Sequence, residues 1–540
     1  MRFTRTVPRP DAPLHSGRLP RAVPWALGAI GLLLAVWGSW IPSLWGDEAA
    51  SVLSAKRSIP SLFTELAHVD AVHGTYYFAL HLWVDLFGAS PFSVRFPSAV
   101  AVGLGTVAVV LLAERLAGPR TAVIAGVVYC LLPRVTYMGG EARAYAFDAA
   151  IAAWALVLLV DLMRGRRRAA GWWVVYGALT ALGVYVFLYL GLFVVVHAIV
   201  LATSRASRRV WKRWALATAL GIVAAAPVVV FDLLERQQVA FLADRSTTSF
   251  DTLFAGLWFG DGKVAVVAWA LVLVAAVTWV VRRWRRWREG REQTGDARLA
   301  SSVERASSIP AAPSVEVVAF AALLVPAALL LLSNLVVADF SARYVSMSAP
   351  GAALAVAVGI DRLVSLPWRR FTGATRGRRT VVAGLVTALI VVLCIPVYLA
   401  QRTPYAQNSS DWAEISATMK AHARPGQAVL FDEDVRPSRN PRLAYRTYAA
   451  GFAGLADIGL KTPYWESTSW HDIAYRVSSA VVQQRLTEYP TVWLIEYRTP
   501  THVDDYGLDG LRTAGYVAAA TYRTHRSEII ELSRGTTTGE

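Results

Sequence analysis

The sequence predicts an all-α polytopic membrane domain followed by a small α/β domain. The chain of 540 residues is 55% hydrophobic and has a mean hydropathy of +0.41, a combination that is rare among soluble proteins of this length. Its apolar residues form long uncharged runs, such as Trp25–Ile41 and Gly171–Ser204. No alternation of polar and apolar residues suggests a barrel. Counting about 20 residues per crossing gives roughly eleven to thirteen membrane helices.

The net charge of +16 lies mainly between the apolar runs. Arginines cluster in four segments, at 164–168, 205–213, 282–291 and 362–379. This placement is typical of cytoplasmic loops, so we expect a lipid bilayer and no nucleic acid as partner. The two cysteines, Cys130 and Cys394, lie in apolar stretches and cannot form a disulfide framework or a metal cluster.

Three regions follow from composition and charge. The predicted regions are a cytoplasmic basic tail (1–23), a membrane domain (24–400) with an external loop (45–72) and a cytoplasmic loop (282–314), and an extracytoplasmic α/β domain (401–540). The basic tail precedes an apolar run without a small-residue cleavage site, so we expect a retained first helix rather than a signal peptide. The localisation is therefore a multi-pass plasma-membrane protein with its N-terminus in the cytoplasm.

In the last region, Asp411 and Glu414 predict a capping box, which would start a helix that ends near Pro425. Ala428–Phe431 and Val492–Tyr497 have the composition of strands.

Charge parity conflicts with the number of apolar stretches in one place. Between residues 72 and 164 an odd number of crossings is required, yet four apolar stretches are present. The stretch 73–89 is the weakest, because it carries His73, His81 and Asp85. We expect it to lie half-buried at the interface, so that the turn at 138–144 faces outside.

Four polar motifs border the apolar runs. Their residues are Asp47 and Glu48; His73 and Tyr76; Glu141, Arg143 and Tyr145; and Arg343 and Tyr344. Each has a simple structural explanation: an acidic helix start, an interfacial aromatic belt, an internal ion pair or a snorkelling arginine. Parity, however, predicts one shared outer face for seven of these residues: Asp47, Glu48, His73, Glu141, Arg143, Arg343 and Tyr344. A carboxylate there can act as a general base, and arginines can hold a phosphate.

Together these motifs resemble a known superfamily. The order is Asp47-Glu48, a His/Asp-Tyr-Tyr segment, Ser93-Val94-Arg95-Phe96-Pro97, Glu141-x-Arg-x-Tyr and a late Arg343-Tyr344 with Pro350. It resembles the GT-C-fold glycosyltransferases of the protein O-mannosyltransferase and aminoarabinose-transferase superfamily, above all the actinobacterial family 39-like mannosyltransferases.

The resemblance implies a GT-C-like membrane domain and a polyprenyl-phosphate sugar donor. It makes Asp47 the catalytic carboxylate, with Glu48 beside it. We expect the other seven residues to bind the donor phosphate or sugar: His73, Tyr76, Glu141, Arg143, Tyr145, Arg343 and Tyr344. In place of the usual His-Pro-Pro stands Val72-His73-Gly74. No Asp-x-Asp motif lies near Asp47, so neither a metal nor another cofactor is indicated.

The predicted activity is inverting transfer of a sugar, mannose or a related pentose, on the extracytoplasmic face. The acceptor would be an envelope glycan, a lipid-linked glycan or a protein. Arabinofuranosyl transfer is one alternative. A transporter or flippase of a lipid-linked precursor is another, although the sequence lacks the paired halves that transporters usually show. A non-catalytic envelope-assembly scaffold is the third.

Overall fold

The computed structural model describes residues 18–235, 248–293, 313–337, 340–366, 376–500 and 506–535. The first part of the chain is helical. Its helices are α1 (Ala22–Val36), α2 (Gly46–Ala55), α3 (Ile59–Leu66), α4 (Gly74–Phe87), α5 (Pro91–Ala117), α6 (Pro119–Leu131), α7 (Pro133–Gly139), α8 (Tyr145–Met163), α9 (Gly171–Val186), α10 (Phe193–Thr203), α11 (Arg208–Ala224), α12 (Ala226–Glu235), α13 (Gly262–Gln293), α14 (Val315–Ser333), α15 (Ala349–Ser365) and α16 (Arg376–Ala400).

The predicted fold class is confirmed, but the helices that satisfy the length rule are fewer than predicted. Among the described residues, six helices are long and apolar enough to cross a membrane, or up to eight if the bent pairs α6–α7 and α11–α12 each count as one. Three shorter apolar helices, which begin at Ala22, Gly171 and Leu188, would bring the number to eleven. The bends of 58° and 50° lie next to Pro133 and Pro227, where a proline removes a helical hydrogen bond.

Helix α5 forms the centre of the membrane domain, with α1, α6 and α8 packed around it. Glycines allow the closest of these approaches. A Cβ added to Gly28 would lie 3.0 Å from the Gly103 carbonyl oxygen, and one added to Gly103 would lie 2.9 Å from that of Gly28. Small residues commonly let membrane helices pack backbone to backbone. This packing fixes the start of α5, which carries Arg95.

The predictions for the stretch 73–89 and for the loop 282–314 are compared with α4 and α13. Helix α4 has 14 residues, fewer than the roughly 20 of a membrane crossing, and its depth in a bilayer stays a prediction. Helix α13 continues to Gln293, so the first part of the predicted loop 282–314 is helical, because arginine is a good helix former. Residues 294–312 of that loop and 1–17 of the tail lie outside the described residues.

The C-terminal region forms the expected small α/β domain after α16. Its elements are α17 (Trp412–His422), β1 (Ala428–Phe431), α18 (Arg442–Thr447), β2 (Ala456–Asp457), β3 (Leu460–Thr462), β4 (Ile473–Ala474), α19 (Ala480–Leu486), β5 (Thr491–Tyr497), α20 (Leu508–Thr513), β6 (Tyr516–Arg523) and β7 (Ser527–Arg534). The main sheet has the order β2-β1-β5-β7-β6. Strand β1 pairs in parallel with β2 and β5, and β7 is antiparallel to β5 and β6.

The predicted capping box at the start of α17 is wrong, although the helix itself is present. Asp411 makes no side-chain cap. Its carboxylate instead accepts hydrogen bonds from the Arg526 backbone N–H at 2.9 Å and from the Thr524 hydroxyl at 2.6 Å. Glu414 accepts the hydroxyl of Tyr405 at 2.9 Å. Both carboxylates therefore accept hydrogen bonds from other parts of the chain and do not cap the helix.

Candidate active site

The two adjacent carboxylates lie in the first turn of α2. Trp45 is extended (φ −125°, ψ 177°) and the helix begins at Gly46, so Asp47 and Glu48 occupy the end of the helix dipole that favours negative charge. Successive helical residues point about 100° apart. As a result the Asp47 side chain is 21% exposed, whereas the side chain of Glu48 is fully buried.

Glu48 is fully engaged in a buried ion pair with Arg95. Its two carboxylate oxygens accept hydrogen bonds from Nε and Nη2 of that arginine at 2.7 and 2.5 Å, and Oε1 also accepts the Ala142 backbone N–H at 2.8 Å. Arg95 additionally donates to the carbonyls of Ser39, Pro42 and Ser43. The assignment of Glu48 as a catalytic residue is therefore corrected: it holds three backbone segments together and presents no carboxylate to a substrate.

Asp47 keeps an accessible carboxylate, which forms an ion pair with Arg343. The two side chains are 21% and 20% exposed. The Arg343 guanidinium also lies 5.4 Å from the centre of the Trp45 ring, a distance at which a cation is attracted to the aromatic face. The structure thus brings together an acid and a cation that are 296 residues apart in the chain.

Arg143 organises the same region from a buried position. It donates to the Asp47 carbonyl oxygen and the Ser51 hydroxyl, both at 3.3 Å, and to Nε2 of His73 at 2.9 Å. Burial, followed by the charges of Arg143 and Arg343, lowers the pKa of His73 well below its usual value. His73 is consequently neutral and accepts the hydrogen bond. Both predicted residues therefore lie beside Asp47, where they position its helix.

Glu141 borders a cavity of about 510 Å³. It follows α7 in the loop before α8, and it is 1% exposed. Within the described part of the chain, its Oε1 atom has no hydrogen-bond partner. Burial raises the pKa of Glu141 to about 7. The other polar or aromatic side chains of the cavity wall are Trp45, Arg134, Tyr137, Ser341, Arg343 and Gln401.

Three of the tyrosines near Arg343 pack against one another. Tyr344 stacks on Tyr189 with ring centres 5.3 Å apart, and Tyr145 lies 6.5 Å from Tyr344. Tyr76 packs edge-on against Tyr77 and Phe147. Like Tyr76, Tyr145 and Tyr344 lie outside the set of residues that line the cavity. The Tyr76 ring belongs to the hydrophobic core between α4 and α8, and its contact with the donor stays a prediction.

Sequence reasoning named Arg95 only within a motif, without its role as the partner of Glu48, and it missed Arg134. Arg95 lies near the start of a long apolar helix, and an ionisable residue in such a helix is a functional candidate by default. Arg134 donates to the carbonyls of Gly256 and Leu257 and lines the cavity. In the described residues, no group of three or more His, Cys, Asp and Glu side chains could hold a metal ion; the metal independence of the reaction stays a prediction.

Comparison with solved structures identifies the fold. ArnT from Cupriavidus metallidurans, in a crystal structure bound to undecaprenyl phosphate, matches with a TM-score of 0.56 at 14% identity, over 95% of this chain and 98% of that chain. The chain has the GT-C fold. AglB, an archaeal oligosaccharyltransferase from Archaeoglobus fulgidus, matches with a TM-score of 0.50 at 12% identity, over 96% of this chain and 75% of that one.

The mycobacterial arabinofuranosyltransferase AftD also matches, with a TM-score of 0.50 and 16% identity. The match spans 97% of this chain but only 41% of AftD. In sequence, residues 75–231 match the model of the dolichyl-phosphate-mannose-protein mannosyltransferase family. No curated protein sequence matches the chain significantly. The family match over residues 75–231 and the shared fold agree with the resemblance to GT-C-fold glycosyltransferases.

Proposed function

We propose that the protein transfers mannose from a polyprenyl-phosphate donor to a hydroxyl group of an envelope glycan, lipid or protein. The observation that carries this proposal is the Asp47–Arg343 pair beside the cavity that Glu141 borders. A carboxylate can take the proton of an attacking hydroxyl, and an arginine can stabilise the charge of a departing phosphate. The volume of about 510 Å³ falls in the range of ordinary ligand pockets.

The chemistry follows from these positions. Asp47 takes the proton from the acceptor hydroxyl while the oxygen attacks the anomeric carbon from the face opposite to the phosphate. This single displacement inverts the configuration. Arg343 attracts the phosphate, because its guanidinium has five donors and can hold Asp47 and an anion at once. The indole ring of Trp45 below the guanidinium limits its movement.

Charge parity supports the extracytoplasmic face as the side of reaction. It placed Asp47, Glu141, Arg143 and Arg343 on the side that carries the C-terminal domain, and in the structure these side chains meet at one site. That domain lies next to the site: the Leu44 backbone N–H donates to the Tyr448 hydroxyl at 2.8 Å. An acceptor can therefore approach from the domain while the donor lipid lies in the bilayer.

Mannose is proposed on the strength of the family model, which names that sugar. The fold alone does not distinguish sugars, since the structural neighbours include ArnT and the arabinofuranosyltransferase AftD. A panel of donors decides between them. Polyprenyl-phosphate mannose should be consumed, whereas preferential use of polyprenyl-phosphate arabinofuranose would replace mannose in the proposal.

The first test is Asp47→Asn in purified membranes, with a radiolabelled polyprenyl-phosphate mannose donor and lipid and glycan extracts as acceptors. Loss of the base should lower the transfer rate by about 10²- to 10⁴-fold, while the variant still inserts and purifies. Arg343→Ala should raise the KM for the donor more than that for the acceptor. An unchanged rate in Asp47→Asn would refute the base assignment, and equal effects of Arg343→Ala on both KM values would refute its phosphate role.

A further inference from the structure

The carboxyl group of Glu141 has an environment unlike those of Asp47 and Glu48. Glu48 is paired with Arg95 and Asp47 with Arg343. Glu141 is 1% exposed, and its Oε1 atom lacks a hydrogen-bond partner among the described residues. A buried polar atom that lacks a hydrogen-bond partner destabilises the folded protein. The arrangement therefore points to a ligand group that completes the hydrogen bonding of this carboxyl.

The cavity indicates the chemistry of that ligand group. Arg134 and Arg343 both contribute to its wall, and two guanidinium groups favour an anion such as a phosphate. An ionised carboxylate on the same wall would repel that anion, whereas a neutral carboxylic acid has a proton to donate to it. The protonated form of Glu141 thus fits the phosphate of an intact donor better than the ionised form does.

The surroundings of Glu141 favour that protonated form near neutral pH. Burial makes the largest contribution and raises the pKa to about 7. The charged and titratable groups that act on it are Arg343, Glu48, Asp47, Arg143, Arg134, Tyr137, Tyr145, Arg95 and Tyr76. A bound phosphate adds a negative charge, which raises the pKa of a nearby carboxyl further.

We propose that Glu141 is a catalytic acid, which donates a hydrogen bond to the donor phosphate and passes its proton to that phosphate as the group leaves. This inference rests on the proposed glycosyltransferase function. The bond between the anomeric carbon and the phosphate oxygen breaks, and its electron pair stays on the oxygen. The acceptor oxygen forms the new bond to the anomeric carbon. Asp47 takes up the acceptor proton, and Glu141 releases its own.

The step balances without any further reactant. The products are the glycoside and a singly protonated polyprenyl phosphate, with Asp47 neutral and Glu141 ionised. Return of one proton from Asp47 to Glu141, directly or through water, restores the starting state. The two carboxyls are close enough to influence each other, because the charge of Asp47 raises the pKa of Glu141.

The test compares kcat/KM between pH 5.5 and 9 for the wild type and Glu141→Gln. Gln has the same shape and donates a hydrogen bond, but it cannot transfer a proton. We expect a loss of about 100-fold at pH 6.5, the lower end of the range for acid–base catalysis. We also expect the decline of the wild-type rate above pH 7 to be absent in the variant. Asp85→Asn, at a side chain that is 63% exposed, is the control and should keep the wild-type profile.

A rate for Glu141→Gln within about twofold of wild type, with the alkaline decline intact, would overturn the proposal. If the wild type transfers no sugar from any polyprenyl-phosphate donor, the proposed function fails instead, so the two failures are distinguishable. A second measurement needs no variant. Binding of polyprenyl methyl phosphate, a diester that does not titrate in this range, should weaken as pH rises through 7. Affinity that is constant from pH 6 to 8 would also refute the inference.

Discussion

Replacing Glu48 by Gln tests whether this carboxylate serves structure rather than catalysis. The side chains of Glu48 and Arg95 are both fully buried. The carboxylate accepts from Nε and Nη2 of Arg95 and from the Ala142 N–H, all of which are donors. In either orientation, the amide nitrogen of Gln would face a donor. The buried guanidinium would also lose its counter-charge, which costs about 3–5 kcal/mol.

The expected effect is large enough to measure by thermal unfolding in detergent, with the 20 tryptophans as the fluorescence signal. At about 2 °C per kcal/mol for a large domain, the apparent Tm of Glu48→Gln should fall by about 6–10 °C. Asp47→Asn is the matched comparison. Its ion pair is partly exposed and contributes about 0–1 kcal/mol, so its Tm should move by less than about 2 °C. A Tm for Glu48→Gln that matches the wild type, together with abolished transfer, would refute the structural role and restore Glu48 as a catalytic candidate.

Two further predictions concern the ends of the network around α2. Gly46→Ala should lower both the Tm and the transfer rate, because the new Cβ would lie 2.5 Å from the Ser438 carbonyl oxygen. The control is Gly171→Ala, where no atom lies within 4 Å of the new Cβ and where both quantities should stay unchanged. Equal behaviour of the two variants would contradict the close approach at Gly46. The lowered pKa of His73 contributes stability that is present above the ordinary value of about 6.5 and is lost as pH falls below it. Between pH 7.5 and 5.5, the Tm of His73→Gln should accordingly fall less than the Tm of the wild type. The Gln side-chain oxygen can still accept a hydrogen bond from Arg143. Parallel pH dependences of the two Tm values would argue against a buried neutral His73.

The membrane fold was predictable because its main determinants are local. Run length and arginine placement mark helices and loops without reference to the rest of the chain. The uncharged Gly171–Ser204 run contains α9 and α10, which residues 187–192 separate. The capping box failed for the opposite reason. The Asp411 carboxylate binds Thr524 and Arg526, more than 110 residues away, and no local pattern reports such a partner.

In the candidate site too, the features with local determinants were predictable and those with distant partners were not. Sidedness brought Asp47, Arg143 and Arg343 together in the prediction, and the structure places them in contact. It could not distinguish Asp47 from Glu48, because one helical step separates an accessible carboxylate from a buried one. Nor could it find the partner of Glu48, since Arg95 is 47 residues away in a helix whose other residues are mostly apolar.

Contacts from the C-terminal domain reach both ends of α2 and thereby position Asp47. At its start, the Ser438 carbonyl lies against Gly46, and the Tyr448 hydroxyl accepts the Leu44 N–H. Just beyond its end, the buried Arg57 guanidinium donates to the Ser467 carbonyl at 3.0 Å. A displacement of the domain would therefore move the carboxylate relative to Arg343, which belongs to the membrane part of the chain. The pairing of Asp47 with Arg343 thus depends on both parts of the protein, and so would any transfer that uses it.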